Sequence, residues 1–153
     1  MLMTTRNWLY FIIIFFITSC NEMWGDHPLG NHLSLLEGDK KEDRIIVYCG
    51  DEGGICHGGI PIVPTYNRQF DEKGRYAEYV QTAISNKNWI IAETVQVKNK
   101  QKNYWIIKKA FDIENINCRK SNCDSIIQSY VTGPLSIADF QTQIKKLNID
   151  LSF

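Results

Sequence analysis

The pattern of apolar and polar positions divides the chain into one dense apolar block and a longer region of changing rhythm. The block is Trp8 to Thr18, eleven residues without a charge. Beyond it most signals are those of strands. HLSLLEGD (32–39) predicts a short strand ending at Gly38, and DRIIVYCG (43–50) a clearer one, dense in Ile, Val and Tyr. DEGGICHGG (51–59), with four glycines in nine residues, predicts a flexible connection. GIPIVPT predicts an edge strand, because its prolines cannot donate ladder hydrogen bonds. NWIIAETVQV (88–97) and NYWIIKKAF (103–111) flank KNKQK and predict a hairpin. Alternation through Thr94, Val95, Gln96 and Val97 predicts one wet face. DSIIQSYVTG (124–133) predicts a further strand, ending at a Gly133-Pro134 turn.

Two segments carry a helical period instead. In 75–85, Tyr76, Tyr79, Val80, Ala83 and Ile84 fall on one face at helical spacing. In 136–149, Ser136 is a candidate N-cap with Asp139 three residues on, and Lys145 and Lys146 suit the negative helix end. Ile137, Phe140, Ile144 and Leu147 form its apolar stripe. The expected class is α+β: an antiparallel sheet of about five strands, packed by one or two helices including a C-terminal one.

The apolar block is too short to span a bilayer, which takes about 20 apolar residues. Arg6 precedes it and no acid appears before Glu22. That is the layout of a secretory signal. Its end, Ile17-Thr18-Ser19-Cys20, looks like a bacterial lipobox. In such a box the cysteine thiol is alkylated by a diacylglycerol, and cleavage follows just before it. The small side chain of Ser19 leaves that bond accessible. The alternatives are an ordinary signal peptide with an incidental cysteine, or an uncleaved anchor. A single acyl chain holds a protein only marginally, whereas the two of a diacylglycerol hold it stably. The expected organisation is a signal at 1–19, a lipid-anchored tether at 20–31 and one globular domain at 32–153. The membrane, reached through lipid on Cys20, is thus the first expected partner, and the domain is expected outside the cytoplasm.

With Cys20 lipidated, Cys49, Cys56, Cys118 and Cys123 remain. An even count in an exported chain suggests disulfides. Three pairings are possible, and the local one joins Cys49 to Cys56 and Cys118 to Cys123. Free thiols and a metal site, either a tetrathiolate or one that includes His57, are the alternatives, but zinc-binding cysteines usually stand two to four residues apart. No metal and no cofactor are expected.

Seventeen Lys and Arg balance seventeen Asp and Glu, so no basic surface argues for nucleic acid. No HExxH, GxSxG, Walker loop or GxGxxG occurs. One enzyme reading remains, in which Cys56 attacks with His57 as base and Cys49 nearby. His27 and His32 lie near the tether and are expected to face solvent. Asp51-Glu52 and Asp71-Glu72 are expected as solvated loop acids. The balance favours a non-catalytic module of the cell envelope that binds another protein, with an immunity-like role as one version.

The order NWIIAETVQV, NYWIIKKAF, VTGPLSIADFQTQIKKLNI resembles small bacterial lipoproteins of the family known as domain of unknown function 3997. An aromatic-Ile-Ile element on two strands, a Gly-Pro and a terminal helix carry the likeness over roughly residues 86–149, and the lipobox agrees with it. The cysteines and the glycine-rich loop lie outside it. The resemblance implies a membrane-anchored domain of no assigned activity and supplies no catalytic residues.

Overall fold

The computed structural model describes residues 26–49, 56, 59–64, 74, 76–118 and 120–153. Cys20, His57, Asp51-Glu52, Asp71-Glu72 and most of the glycine-rich loop lie outside these. Two antiparallel sheets of four strands form, each with its strands side by side in chain order. The first holds β1 (His27–Gly30), β2 (Leu33–Leu36), β3 (Ile45–Tyr48) and β4 (Ile60–Val63). The second holds β5 (Glu78–Ser85), β6 (Trp89–Gln96), β7 (Lys102–Lys108) and β8 (Val131–Leu135). Two short helices follow β7 and β8: α1 (Cys123–Gln128) and α2 (Ile137–Lys146). The antiparallel α+β class is as expected, but with two sheets of four strands rather than one of five.

The second sheet is buried on both faces. On one side Val80, Ile90, Ala92, Trp105 and Ile107 pack with Leu33, Leu35, Ile46, Ile62 and Val63 of the first sheet, and Cys123 and Ile127 of α1 join them. On the other, Ile91, Tyr104 and Ile106 pack with Phe140 of α2 and with Ile149. β6 therefore has no wet face. Glu93, Thr94 and Val95 are all buried: Glu93 and Val95 share the Ile91 face, which α2 and the chain after it cover, while Thr94, on the side where alternation predicts water, shares the Ala92 face, which the first sheet covers. The hairpin of β6 and β7 is as expected, in register from Trp89 opposite Lys108 to Val95 opposite Lys102.

Of the segment expected as helix, Glu78–Ser85 is strand, and a β-bulge explains why it carries a helical period. Val80 pairs with Thr94 and Thr82 with Glu93, so Gln81 is an extra residue on β5. A bulge moves every later side chain to the opposite face. Val80 and Ala83 consequently both face the first sheet, while Ile84 faces the α2 side. Alternation across a one-residue slip, with both faces buried, reproduces spacings of three and four. Arg44, just before β3, holds the bulge. Its carbonyl accepts from Val80 N at 2.9 Å, and its Nη1 donates to the Gln81 carbonyl at 3.5 Å. Glu37 in turn accepts from Arg44 Nε at 2.5 Å.

The segment 124–133 is not one strand. Its first half is α1, started by Asn122, whose side chain accepts from Ser125 N at 3.0 Å. Its Ile127 is fully buried in the inter-sheet core. β8 begins at Val131, and Gly133-Pro134 lies inside that strand rather than at its end. Tyr104 pairs with Leu135 and Ile106 with Thr132, so Gly133 and Pro134 together stand opposite Trp105.

α2 begins and ends as its residues direct. The Ser136 side chain accepts from Asp139 N at 3.2 Å. At the other end Asn148 has φ +50. Asn148 N reaches the Lys145 carbonyl at 3.2 Å and Ile149 N the Ile144 carbonyl at 3.0 Å. That is a Schellman cap, with Ile149 and Ile144 in the same apolar cluster. Of the predicted stripe only Phe140 is buried; Ile137 and Leu147 stay exposed.

One polar chain crosses the inter-sheet core. Trp105 Nε1 donates to Thr94 Oγ1 at 2.8 Å, Thr94 Oγ1 donates to Glu78, and Asn103 Nδ2 donates to the same Glu78 oxygen at 2.9 Å. The buried indole N–H thereby has its partner, without which it would cost about 1–3 kcal/mol.

Candidate functional site

The four cysteines within the described residues are paired locally. Cys49 joins Cys56 with Cα atoms 5.4 Å apart, and Cys118 joins Cys123 at 5.3 Å. Bonded to Cys49, Cys56 offers no thiolate, and a thiolate is what a cysteine nucleophile requires. Cys56 N donates to Asp26 Oδ2 at 3.1 Å, which ties the first bridge to the start of β1. β1 itself, at His27–Gly30, lies within the segment expected as tether. Among the described residues no group of His, Cys, Asp and Glu could hold a metal ion. No described helix is long and apolar enough to cross a membrane.

A different set of residues forms a concave site that gathers polar and aromatic chemistry. It is a cleft of about 230 Å³ lined by Asn31, His32, Tyr48, Phe111, Asp112 and Glu114. Its first wall is the β1–β2 turn. Gly30 pairs with Leu33, so Asn31 and His32 are the whole loop, and both have positive φ, +54 and +58. Two left-handed residues in a two-residue hairpin make a type I′ turn, whose twist matches the strands beside it. Asn adopts that conformation readily, and His does so at some cost.

Side-chain bonds clamp this turn to the segment after β7. Asn31 Nδ2 donates to the Lys109 carbonyl at 3.3 Å and the Phe111 carbonyl at 3.2 Å. His32 Nε2 lies 2.7 Å from Glu114 Oε1. The Lys109 ammonium donates to the Leu29 carbonyl, and its burial there lowers its pKa below the usual lysine value. From Phe111 onward the chain alternates: Phe111 and Ile113 are buried, and Asp112 and Glu114 point outward as the acidic rim. Asp112 Oδ1 accepts from Glu114 N at 3.1 Å, fixing the two acids relative to each other.

The floor is aromatic. Tyr48, the last residue of β3, is only 7% exposed. Its ring centroid lies 5.7 Å from that of His32 and 5.9 Å from that of Phe111, which continues to Tyr130 at 5.7 Å. Burial raises the Tyr48 phenol above its ordinary pKa, and the carboxylates of Glu114 and Asp112 push the same way. The site therefore joins a hydroxyl that stays protonated to two acids that favour positive charge.

His27 is exposed as expected, 3.4 Å from Glu37. His32 is not: only 14% of its side chain is exposed, because the turn folds it over Tyr48. None of the six lining residues was a sequence candidate for chemistry. They come from three separate stretches, and the one local sign was Gly-Asn-His standing between two short apolar runs, a hairpin signal inside the expected tether. No protein-family model, curated protein or solved structure matches this chain.

Proposed function

We propose that the chain is a bacterial lipoprotein, held on the outer side of a membrane by lipid on Cys20, whose domain is a non-catalytic module that binds another envelope protein. The carrying observation is the charge-free block that ends in Ile17-Thr18-Ser19-Cys20. The two disulfides support it, since such bonds persist in oxidising compartments outside the cytoplasm. The likeness to domain of unknown function 3997 points the same way. An immunity-like role is the version that a neighbouring gene for a secreted toxin would favour.

The test is cross-linking in living cells, followed by purification of the tagged full chain from washed membranes. The expected result is membrane retention, digestion by protease added to cells stripped of any outer membrane, and one envelope protein recovered in fixed proportion. Recovery of the chain from the cytosol, protected from external protease, would contradict the reading.

A further inference from the structure

The registers of the two sheets, and the bonds between them, give the molecule two poles. At the first, His27 stands opposite Leu35 and Leu36 opposite Ile45, and the Arg44 carbonyl accepts from Val80 N at 2.9 Å. The same pole holds the pair of Glu78 with Gln96, the turn that joins β6 to β7, and the end of β8, where Leu135 stands opposite Tyr104. The second pole holds the Asn31-His32 turn, clamped to Lys109 and Phe111, and the pair of Trp89 with Lys108.

The first pole is where the chain arrives from Cys20. Six residue steps separate Cys20 from Asp26. Fully extended, they span about 20 Å, against a breadth of about 35 Å for a domain of this size. Asp26 is tied to the domain, because its Oδ2 accepts from Cys56 N at 3.1 Å. A cysteine held in the bilayer therefore keeps the first pole nearest the surface. This step rests on lipid at Cys20, as proposed above. What the pole displays fits such a surface. Lys40 and Lys41, in the β2–β3 connection, and Lys98 and Lys100, in the β6–β7 turn, are all exposed. Most acids there have partners within the domain: Glu37 meets Arg44, Glu93 meets Lys102, and Glu78 accepts from Thr94 and Asn103. Asp43 accepts from Lys40 N at 3.2 Å, and Asp39 and Glu42 stay exposed beside the lysines. Ile137, just past the end of β8, and Phe153, whose ring centroid is 6.2 Å from that of Tyr104, are each 49% exposed. Ammonium groups on flexible stems reach headgroup phosphates, and exposed Ile and Phe side chains suit the acyl boundary beneath. We infer that the first pole seats on a phospholipid surface, with Lys40, Lys41, Lys98 and Lys100 on headgroup phosphates and Ile137 and Phe153 at the acyl boundary. The Asn31-His32 turn then points away from the membrane.

The experiment is an NMR measurement on the full chain, purified from washed bacterial membranes and checked by mass spectrometry for lipid on Cys20. The chain is placed in nanodiscs of phosphatidylglycerol and phosphatidylethanolamine, with a gadolinium chelate on a few headgroups. The amide signals of Lys40, Lys41, Lys98 and Lys100 should be lost. Those of Asn31, Lys87 and Glu114 should persist, since the eight residues of β6 set the poles roughly 25 Å apart. A lysine at an anionic surface strengthens contact by a factor of about five. Lys98→Gln with Lys100→Gln should therefore restore the signals of Val97, Asn99 and Gln101, and Lys87→Gln should leave the pattern unchanged. Uniform loss, loss centred on Asn31 or Glu114, or an unchanged pattern in the Lys98→Gln, Lys100→Gln chain would overturn the inference while lipid on Cys20 stands. A chain without lipid on Cys20 would overturn the anchor and the inference together. Signals of the first pole that survive in the discs, and shift on adding a detergent extract of envelope proteins, would assign the pole to a protein partner and overturn the inference.

Discussion

Gly133 lies against the indole of Trp105 so closely that a Cβ there would sit 2.6 Å from Trp105 Cε3. The glycine also has φ +150, which side chains rarely adopt. The contact is a consequence of pairing. Gly133 and Pro134 stand where one residue would normally face Trp105, and the bulge presses backbone onto ring. The other edge of the same indole is fixed by Thr94.

Gly133→Ala should therefore cost about 2–3 kcal/mol, by overpacking against a ring that cannot retreat. Trp105→Ala should cost about 3–5 kcal/mol, because it empties the middle of the inter-sheet core and leaves Thr94 without its donor. Trp89, half-buried at the start of β6, should matter less. Urea unfolding monitored by circular dichroism measures all three. A wild-type midpoint in Gly133→Ala would show that β8 does not press on Trp105.

The two disulfides should differ in what replaces them well. Each closes a short loop, so removing either whole bridge should cost about 2 kcal/mol in the chain-entropy model. Cys123 is 2% exposed within the core, while Cys118 is exposed. Cys118→Ala with Cys123→Ala should stay near that figure. Serine at position 123 should add about 1–3 kcal/mol, because its hydroxyl would be buried without a partner. Equal melting temperatures for the alanine and serine pairs would contradict the burial of Cys123.

Tyr48 sets an alkaline limit. Its phenol keeps its proton in the folded state above 10.0, through burial first and then Glu114 and Asp112. In the unfolded chain the same phenol ionises near its usual value of about 10. Above that pH the unfolded state has released a proton that the folded state retains, so stability present below it falls as pH rises. Tyr104 is shifted in the same direction, by burial and then by Glu93, and contributes its own share. The difference between wild type and Tyr48→Phe isolates Tyr48. In absorbance titration the phenolate signal missing from the variant should be the late-appearing part. A missing signal centred at the ordinary tyrosine pKa would show that Tyr48 is not held as described.

Local signals carried much of this fold. The β6–β7 hairpin, the edge strand with Pro61, the capped terminal helix and the local cysteine pairing follow from residues near each other in sequence. What was not legible has specific causes. In β5 a one-residue bulge shifted the phase of a two-faced strand into a helical period. In 124–133 the Asn122 cap turned Ile126 and Ile127 into a short helix, where their β-branched character favours a strand. The burial of Glu93 and Thr94 depends on α2 and the first sheet covering both faces, which no window around β6 contains. The cleft is the extreme case. Asn31, Tyr48 and Glu114 meet only once the first sheet and the segment after β7 are in place.

The central claim is that Cys20 carries lipid, and metabolic labelling with an alkyne fatty acid tests it most directly. Wild-type cells should yield a labelled protein whose first residue, by mass spectrometry, is a diacylglyceryl-modified Cys20. Cys20→Ser should take up no label and accumulate as precursor with residues 1–19 attached. Label retained in the Cys20→Ser protein, or a wild-type protein that still begins at Met1, would contradict the account.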